Sequence, residues 1–161
     1  MTPRASSWMG PRGEGYVALQ LLLIALVALG PSTWPGLPAW PATRPVLIGG
    51  IALIVLGSAL ALAGIAALGR NLTATPRPKQ GATLVTRGPY RFVRHPMYAG
   101  ATLAAFGWAL AVHGWLTLVY AAVLLAFFDI KARREERWLR EEIPGYAAHA
   151  QHVRRLIPFI Y

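Results

Sequence analysis

A polar and aromatic stretch between residues 88 and 100 carries the side chains best suited to chemistry. It contains Arg91, Arg94 and His95, and His95 is the first histidine in the chain. Pro96 favours the first position of a helix, because the N–H that it lacks is not needed there. The histidine and the arginines would then lie at a helix N-terminus, where free N–H groups and the helix dipole favour anionic groups. The pattern therefore predicts a ligand-binding element.

Charged residues near the end of the last apolar segment complete a candidate site. Lys131 and Glu135 lie four residues apart, and Glu136 follows at once. His95 and Tyr98 are three residues apart, so both face one side of a helix that begins there. If the two helices form a hairpin, their ends bring an imidazole, a phenol and carboxylates into one pocket. His95 and Glu135 are the candidate catalytic residues, since either can accept a proton from a bound molecule.

The composition is that of a membrane protein. Hydrophobic residues make up 55% of the 161 residues and charged residues only 14%, and no acidic residue stands between Glu14 and Asp129. Uniformly apolar segments have no charged face to present to water. The net charge of +10 falls between and after these segments, which favours anionic lipid headgroups over nucleic acid as the partner. The absence of cysteine excludes thiol nucleophiles and disulfides.

Four apolar segments predict an all-α integral membrane bundle of about four transmembrane helices. A span needs about 20 apolar residues, and the segments cover residues 16–29, 46–68, 96–112 and 115–130. Arginine and lysine concentrate in the loop before His95 and after residue 130, so the positive-inside rule places both termini in the cytoplasm. His113 and Gly114 predict a tight turn between the last two helices. The mixed charges after residue 130 predict a cytoplasmic C-terminal helical extension.

Two local patterns lead to further structural expectations. Gly57, Ala61 and Gly64 follow one another at helical spacing, which allows another helix to approach closely. That neighbour is either a helix of the same bundle or a second copy of the chain, so the oligomeric state stays open. Residues 83–86 form a brief β-prone run.

Several motifs occur in an order that resembles one known family. They are the turn 88–90, the Arg-His-Pro-Met-Tyr-Ala-Gly element of residues 94–100, the glutamate pair 135–136, Tyr146, and the Ile-Pro pair 157–158. This order resembles the isoprenylcysteine carboxyl methyltransferase family, part of a wider set of membrane methyltransferases that includes phospholipid N-methyltransferases. The resemblance covers residues 75–161, and the first two helices match it only in being apolar.

The resemblance implies S-adenosylmethionine as cofactor, bound at the cytoplasmic ends of the helices. We expect one domain over residues 1–161. Within it, residues 1–69 form a two-helix segment and residues 70–161 form the cofactor-binding part. Lys131 falls where eukaryotic members have a substrate-associated arginine, so it is the expected substrate-binding residue. Transferred by position, the expected cofactor contacts are Ala82, Thr83, Leu84, Val85, Tyr90, Arg94, His95, Pro96, Met97, Tyr98, Glu135 and Glu136.

The cofactor implied by the resemblance fixes what the protein must do. Methyl transfer from a sulfonium is a one-step displacement, so the protein mainly aligns donor and acceptor and excludes water. We expect Glu135 to bind the cofactor's ammonium or ribose, His95 to lie near its carboxylate, and Tyr90 or Tyr98 to contact the adenine. The expected acceptor is a lipophilic or small apolar molecule that enters from the bilayer. A carboxylate acceptor needs no base, whereas an amine, phenol or thiol would lose a proton to His95 or Glu135.

Two other functions stay open from the sequence. Membrane sterol reductases carry a similar Arg-His-Pro-x-Tyr element, and in an NADPH-dependent reductase Arg91 and Arg94 would bind the 2′-phosphate. A non-enzymatic membrane scaffold would bind no cofactor. No metal site is expected, because His149 and His152 have no third ligand in view. The alanine- and arginine-rich composition favours a bacterial inner membrane, with the site facing the cytoplasm.

Overall fold

The computed structural model describes residues 13–75, 77–158 and 160–161. These residues form five α-helices and two short 3-10 turns, with no strand among them. The all-α prediction is therefore confirmed, and the four apolar segments coincide with the first four helices. Their bounds are α1 Glu14–Leu29, α2 Arg44–Leu68, α3 Pro96–Ala111, α4 Trp115–Glu142 and α5 Tyr146–His152.

Two helices are long and apolar enough to cross a membrane. They are α2, with the turn that follows it, and α4. Little of α2 is buried inside the bundle. Its outward residues Ile48, Val55 and Leu62 are 60–66% exposed. An apolar surface of this extent does not suit contact with water. The number of spans and their orientation stay predictions.

The backbones of α2 and α3 approach closely at paired glycines. A Cβ atom added at Gly57 would lie 2.5 Å from the carbonyl oxygen of Gly100, closer than real Cβ contacts allow. Further along, a Cβ atom at Gly107 would lie 2.6 Å from the carbonyl oxygen of Gly50. The small residues of α2 therefore face a helix of the same chain, which answers the question that the sequence left open about their neighbour.

The apolar core lies between α1 and α4. Leu23 and Val27 of α1 pack against a cluster that includes Leu124, Phe127 and Phe128 of α4. In a bilayer, such a core is stabilised by van der Waals packing between the helices. With 28 residues, α4 is about 42 Å long at 1.5 Å per residue, so one helix carries both the core and a charged half.

A sharp turn joins α3 to α4, as the sequence predicts. His113 adopts a positive φ of 53°, and the N–H of Gly114 donates to the carbonyl oxygen of Ala109. Trp40 packs edge-on against Trp115 beside this turn, with ring centroids 4.7 Å apart. Because the two helices run antiparallel from here, the start of α3 meets the charged half of α4.

The chain after α5 returns to the start of α3. Val93 and Arg154 form an isolated parallel bridge. Next to it, the N–H of Arg94 donates to the carbonyl oxygen of Arg154 over 2.8 Å, and the N–H of His95 to that of Arg155 over 3.1 Å. The returning chain thus holds the backbone that presents His95.

Candidate functional site

A cavity opens where α3 begins and α4 enters its charged half. It is open to solvent on one side, and its internal volume is about 90 Å³. Three of the predicted site residues, Pro96, Lys131 and Glu136, are outside its wall. The others are in the wall, namely Ala82, Thr83, Leu84, Val85, Tyr90, Arg94, His95, Met97, Tyr98 and Glu135.

Glu135 is the carboxylate of the cavity wall. Its Oε2 accepts a 2.9 Å hydrogen bond from the hydroxyl of Tyr98 and lies 3.9 Å from Nδ1 of His95. The rings of His95 and Tyr98 are stacked, with centroids 5.4 Å apart, and Phe128 stacks on Tyr98 at 4.7 Å. The hairpin therefore brings the imidazole, the phenol and one carboxylate together, as the sequence predicts.

Glu136 lies behind the wall, in a buried ionic cluster. Its side chain is 1% exposed, and it accepts hydrogen bonds from Arg94, Arg140 and Arg155. Nε2 of His95 is 3.3 Å from its Oε1. The prediction that Glu136 contacts a cofactor does not agree with this placement, because one position along a helix turns a side chain by about 100°. Its surroundings indicate a structural and orienting role.

Arg94 reaches the cavity wall with its hydrogen-bonding groups already occupied. Its guanidinium pairs with Glu136 and donates to the carbonyl oxygens of Ala150 and Val153. Arg91 instead lies at the surface over the ring of Phe92. Arg91 and Arg94 therefore do not form the predicted anion-binding pair at the N-terminus of α3.

Lys131 is buried beside the cavity, outside its wall. The side chain is 1% exposed, and its ammonium donates to Oε1 of Gln20 over 2.5 Å and to the carbonyl oxygen of Ala74 over 3.4 Å. Nζ is 5.2 Å from the centre of the Tyr98 ring, a cation–π contact. Among the residues that the structure describes, no carboxylate lies within ion-pair distance of this ammonium.

The loop between α2 and α3 forms one side of the cavity. Asn71 donates to the carbonyl oxygen of Thr83 over 3.0 Å, and the N–H of Thr83 donates back to Oδ1 of Asn71 over 3.3 Å. This pair holds residues 82–85 against the bundle. The β-prone run belongs to no strand, because no partner strand lies beside it in the described chain.

Two tyrosines and a histidine add polar groups to the wall. Burial raises the pKa of Tyr90, and the negative charge of Glu135 raises it further. Burial likewise raises the pKa of Tyr146, with a smaller contribution from the charge of Glu136. Both phenols are therefore hydroxyl donors at neutral pH. The Tyr146 hydroxyl is buried and has no hydrogen-bond partner in the described structure. Burial, with Arg94 next, lowers the pKa of His149, which keeps its ring neutral near pH 7.

Sequence reasoning missed several wall residues. Asn71 and Thr73 lie in the basic loop, and His149 drew attention only as an isolated metal ligand. The sequence carries no signal that places any of the three at the cavity. Pro96 is outside the wall because it packs against Gly64 of α2.

The phospholipid methyltransferase family matches residues 45–143, from the start of α2 to the end of α4. The chain belongs to this family. The match includes the loop, the start of α3 and both glutamates, so it covers most of the cavity wall. The resemblance to the isoprenylcysteine carboxyl methyltransferases within this wider set is also confirmed.

Curated relatives of this family member carry two kinds of name. A probable protein-S-isoprenylcysteine O-methyltransferase of Oryza sativa subsp. indica is 30% identical over 115 residues, which is 69% of this chain and 60% of the relative. The protein-S-isoprenylcysteine O-methyltransferase of Saccharomyces cerevisiae is 28% identical over 163 aligned positions, 97% of this chain and 68% of the relative. The cobalt-zinc-cadmium resistance protein CzcN of Cupriavidus metallidurans is 28% identical over 137 residues, which is 84% of this chain and 58% of the relative. The chain thus spans about 60% of the length of the rice relative.

Proposed function

We propose that this chain is an integral membrane methyltransferase that transfers a methyl group from S-adenosylmethionine to a lipophilic, anionic acceptor. The observation that carries the proposal is the cavity at the polar end of an apolar bundle, with Glu135, His95 and Tyr146 in its wall. Family membership and the O-methyltransferase names of the rice and yeast relatives support the same class of reaction.

The cavity wall suits the groups of S-adenosylmethionine. Glu135 offers a carboxylate for a cationic group, and the buried Tyr146 hydroxyl is a donor that lacks an acceptor in the described structure. Leu84 and Val85 give apolar surface for an adenine ring. Tyr90 is the better aromatic partner for that ring, because Tyr98 already stacks on two other rings.

The protein's contribution to the reaction is alignment and exclusion of water. Bound S-adenosylmethionine supplies an activated methyl group; as the new bond to the acceptor oxygen forms, the S–CH₃ bond breaks and a neutral thioether leaves. A carboxylate acceptor has no proton to lose, so neither His95 nor Glu135 has to act as a base. Tyr98 ties Glu135 to α3 and so holds the wall in a fixed shape.

Lys131 supports an anionic acceptor. A buried ammonium is costly, and the nearby charge of Glu135 lies beyond ion-pair distance, so an incoming anion would add a closer opposing charge. Gln20 of α1 accepts a hydrogen bond from Nζ on one side, and on another side Nζ lies 5.2 Å from the centre of the Tyr98 ring, which is in the cavity wall.

The membrane placement follows from the same features. The exposed apolar faces of α2 and α4 suit a bilayer, and arginines cluster at the end of the bundle that carries the cavity. We infer four membrane-crossing helices, with α1 and α3 as the short ones, and both termini in the cytoplasm. The proposed location is a bacterial inner membrane with the cavity at its cytoplasmic face.

Methyl-labelled S-adenosylmethionine tests the proposal in reconstituted vesicles. The protein is mixed with native membrane lipids and a set of alkyl probes that end in a carboxylate, an amine or a thiol. Label released as methanol by mild base identifies a carboxyl ester, which is the expected product. Label in the amine or thiol product alone would contradict the anionic acceptor. The absence of label in every fraction, from folded protein, would contradict methyl transfer. NADPH oxidation by the same vesicles would favour the reductase alternative.

A further inference from the structure

Three exposed arginines surround the last turn of α2. They are Arg70, Arg87 and Arg91. Among the residues that the structure describes, no carboxylate lies within ion-pair distance of any of the three. In contrast, Arg133 and Arg140 each pair with a carboxylate of their own helix, α4. The three arginines therefore form an arginine patch whose positive charge is not balanced by the described chain.

Contacts with α2 bring the arginine patch together. Arg70 follows Ala67 by three residues, which is about one helical turn. Nη2 of Arg87 donates to the carbonyl oxygen of Ala67 over 3.5 Å. A Cβ atom added at Gly88 would lie 3.4 Å from the Cβ atom of Ala67, so the 3-10 turn that ends at Arg91 begins against the same part of α2. The patch thus joins the end of α2 to the segment that leads into α3.

Most hydrogen-bond donors of the patch are still available. A guanidinium carries five N–H groups in a planar fork that matches two oxygens of a phosphate. Arg87 uses one of them on α2. The guanidinium of Arg91 lies 4.5 Å from the centre of the Phe92 ring, and stacking on a ring leaves the N–H edge accessible. The neighbouring Lys79 differs, because its ammonium lacks the fork and donates to the carbonyl oxygen of Arg70 over 3.4 Å.

Apolar side chains are exposed beside the patch. In the last turns of α2, Leu62 is 64% and Ile65 is 40% exposed, and Phe92 is 47% exposed. α2 is also one of the two helices that are apolar enough to cross a membrane. In the proposed membrane placement these side chains meet acyl chains, and the arginines lie at the level of the anionic headgroups of the cytoplasmic leaflet. A phospholipid with a negative headgroup matches both parts of this surface, whereas a soluble phosphate matches only one.

Capping of α2 accounts for only part of the arrangement. The negative end of the helix dipole attracts cations within the last turn, which explains the contact of Arg87 with α2. The guanidinium of Arg91 makes no hydrogen bond to a carbonyl oxygen in the described structure and lies over an aromatic ring instead. Like charges around one turn also repel one another. An anion bound among them lowers that repulsion.

The patch flanks the loop that forms one side of the cavity. Residues 82–85 lie in the cavity wall, and the loop that contains them runs between two arginines of the patch. An exposed ion pair between Arg77 and Glu142 connects this loop to α4, and exposed pairs contribute little to stability. A phosphate that bridges Arg70 and Arg87 would fasten both ends of the loop.

We propose that the arginine patch binds the phosphate of an anionic phospholipid in the cytoplasmic leaflet, and that this lipid fastens the loop wall of the cavity. The phosphate bridges the end of α2 and the segment before α3, and the acyl chains lie along the outward face of α2. This lipid is a ligand that takes no part in the methyl transfer. The inference rests on the proposed membrane placement and is independent of the identity of the cofactor and the acceptor.

Native mass spectrometry of the protein in a neutral detergent measures the retention of lipids. Phosphatidylglycerol should be retained more strongly than phosphatidylcholine with the same acyl chains, and water-soluble glycerol 3-phosphate should not displace it. Equal retention of the two lipids would overturn the inference. Displacement by glycerol 3-phosphate at the concentration of the lipid would indicate a site for small phosphates and would rule out the lipid as its ligand.

Matched substitutions test whether the lipid lies at the patch. Arg87→Gln and Arg91→Gln each remove one exposed charge, and each should weaken the retention of phosphatidylglycerol about fivefold. Arg87→Lys keeps the charge and should lose less than Arg87→Gln. Arg137→Gln is the control, because it removes an exposed charge from α4 that has no ion-pair partner among the described residues. Equal weakening in Arg137→Gln would show that retention follows net charge alone, which contradicts a site at the patch.

Hydrogen exchange in lipid nanodiscs measures the effect on the loop. Amides of residues 77–87 should exchange more slowly in discs that contain phosphatidylglycerol than in discs of phosphatidylcholine, and Arg87→Gln should remove the difference. Amides of residues 50–60 in α2 should exchange equally in both. Equal exchange of the loop in both discs would contradict the fastening. If the protein retains phosphatidylglycerol but does not bind S-adenosylmethionine, the proposed function fails and the lipid site stands; the reverse result removes the lipid site alone.

Discussion

Tyr98 on α3 donates a 2.9 Å hydrogen bond to Glu135 on α4, and the same tyrosine ring stacks on Phe128 of the apolar core. One side chain thus joins the wall of the cavity to the packing of the bundle. A hydrogen bond to an ionised acceptor is stronger than one between neutral groups. The carboxylate that we assign to the cofactor is therefore held by an element that the hairpin itself positions.

Tyr98→Phe should weaken the binding of S-adenosylmethionine about fivefold to tenfold, because Glu135 loses the donor that orients it. The ring and its stacking remain, so the thermal midpoint should change little. Isothermal titration calorimetry and a thermal unfolding scan measure the two quantities. Tyr120→Phe is the matched control, since Tyr120 is partly buried against the core and is absent from the cavity wall. Equal affinities for the two variants would contradict the role of Tyr98.

Gly57→Ala should separate α2 from α3. The added methyl would lie 2.5 Å from the carbonyl oxygen of Gly100, and backbone atoms cannot move aside as a flexible side chain can. We expect a loss of about 1–3 kcal/mol in unfolding free energy. Gly49→Ala is the control, because its added methyl meets no atom within 4 Å and favours the helix. Unfolding in a denaturing detergent compares the two, and a stable Gly57→Ala would contradict the close packing.

Lys131→Met should weaken recognition of the anionic acceptor more than it changes stability. The substitution removes a buried ammonium, which favours the folded state, but it leaves Oε1 of Gln20 and the carbonyl oxygen of Ala74 without their donor, so the two effects on the thermal midpoint oppose each other. The KM for a carboxylate acceptor should rise at least about tenfold. Lys79→Met, an exposed position on the basic loop, is the control for charge. An unchanged KM in Lys131→Met would contradict the assignment.

His149 should make the protein less stable in mild acid. Burial and Arg94 lower the pKa of its ring below the ordinary value of 6.5. As the pH falls through 6.5, the unfolded chain therefore takes up a proton at this ring before the folded protein does. Stability is lost over that interval. The unfolding midpoint measured from about pH 8 to about pH 5 should fall less in His149→Gln than in the wild type. Equal slopes would contradict this.

The sequence predicted the hairpin and most of the cavity wall because short-range spacing controls both. His95 and Tyr98 share a face, and a two-residue turn forces the facing helix to present Glu135 opposite them. The neighbouring Glu136 shows the limit of such reasoning. Two adjacent glutamates look alike in the sequence. Only the packing of α4 shows that Glu135 faces the cavity, whereas Glu136 faces a group of three arginines.

Contacts between distant segments could not be predicted from the sequence. Gln20 and Lys131 are 111 residues apart and meet only because α1 packs on α4. The loop that Asn71 ties to Thr83 has no hydrophobic periodicity from which its path could be inferred. Tyr146 at the start of α5 lines the cavity together with residues of the loop before α3, which are more than 50 positions away in the sequence. Each of these depends on tertiary structure.

Calorimetric titration of S-adenosylmethionine into the detergent-purified protein tests the central claim most directly. Glu135→Gln removes the charge that we assign to the cofactor's ammonium, and Glu141→Gln removes a charge from the exposed end of the same helix. The account predicts saturable binding by the wild type and by Glu141→Gln, and a loss of at least about tenfold in Glu135→Gln. Absence of binding by folded wild-type protein, or full affinity in Glu135→Gln, would contradict it.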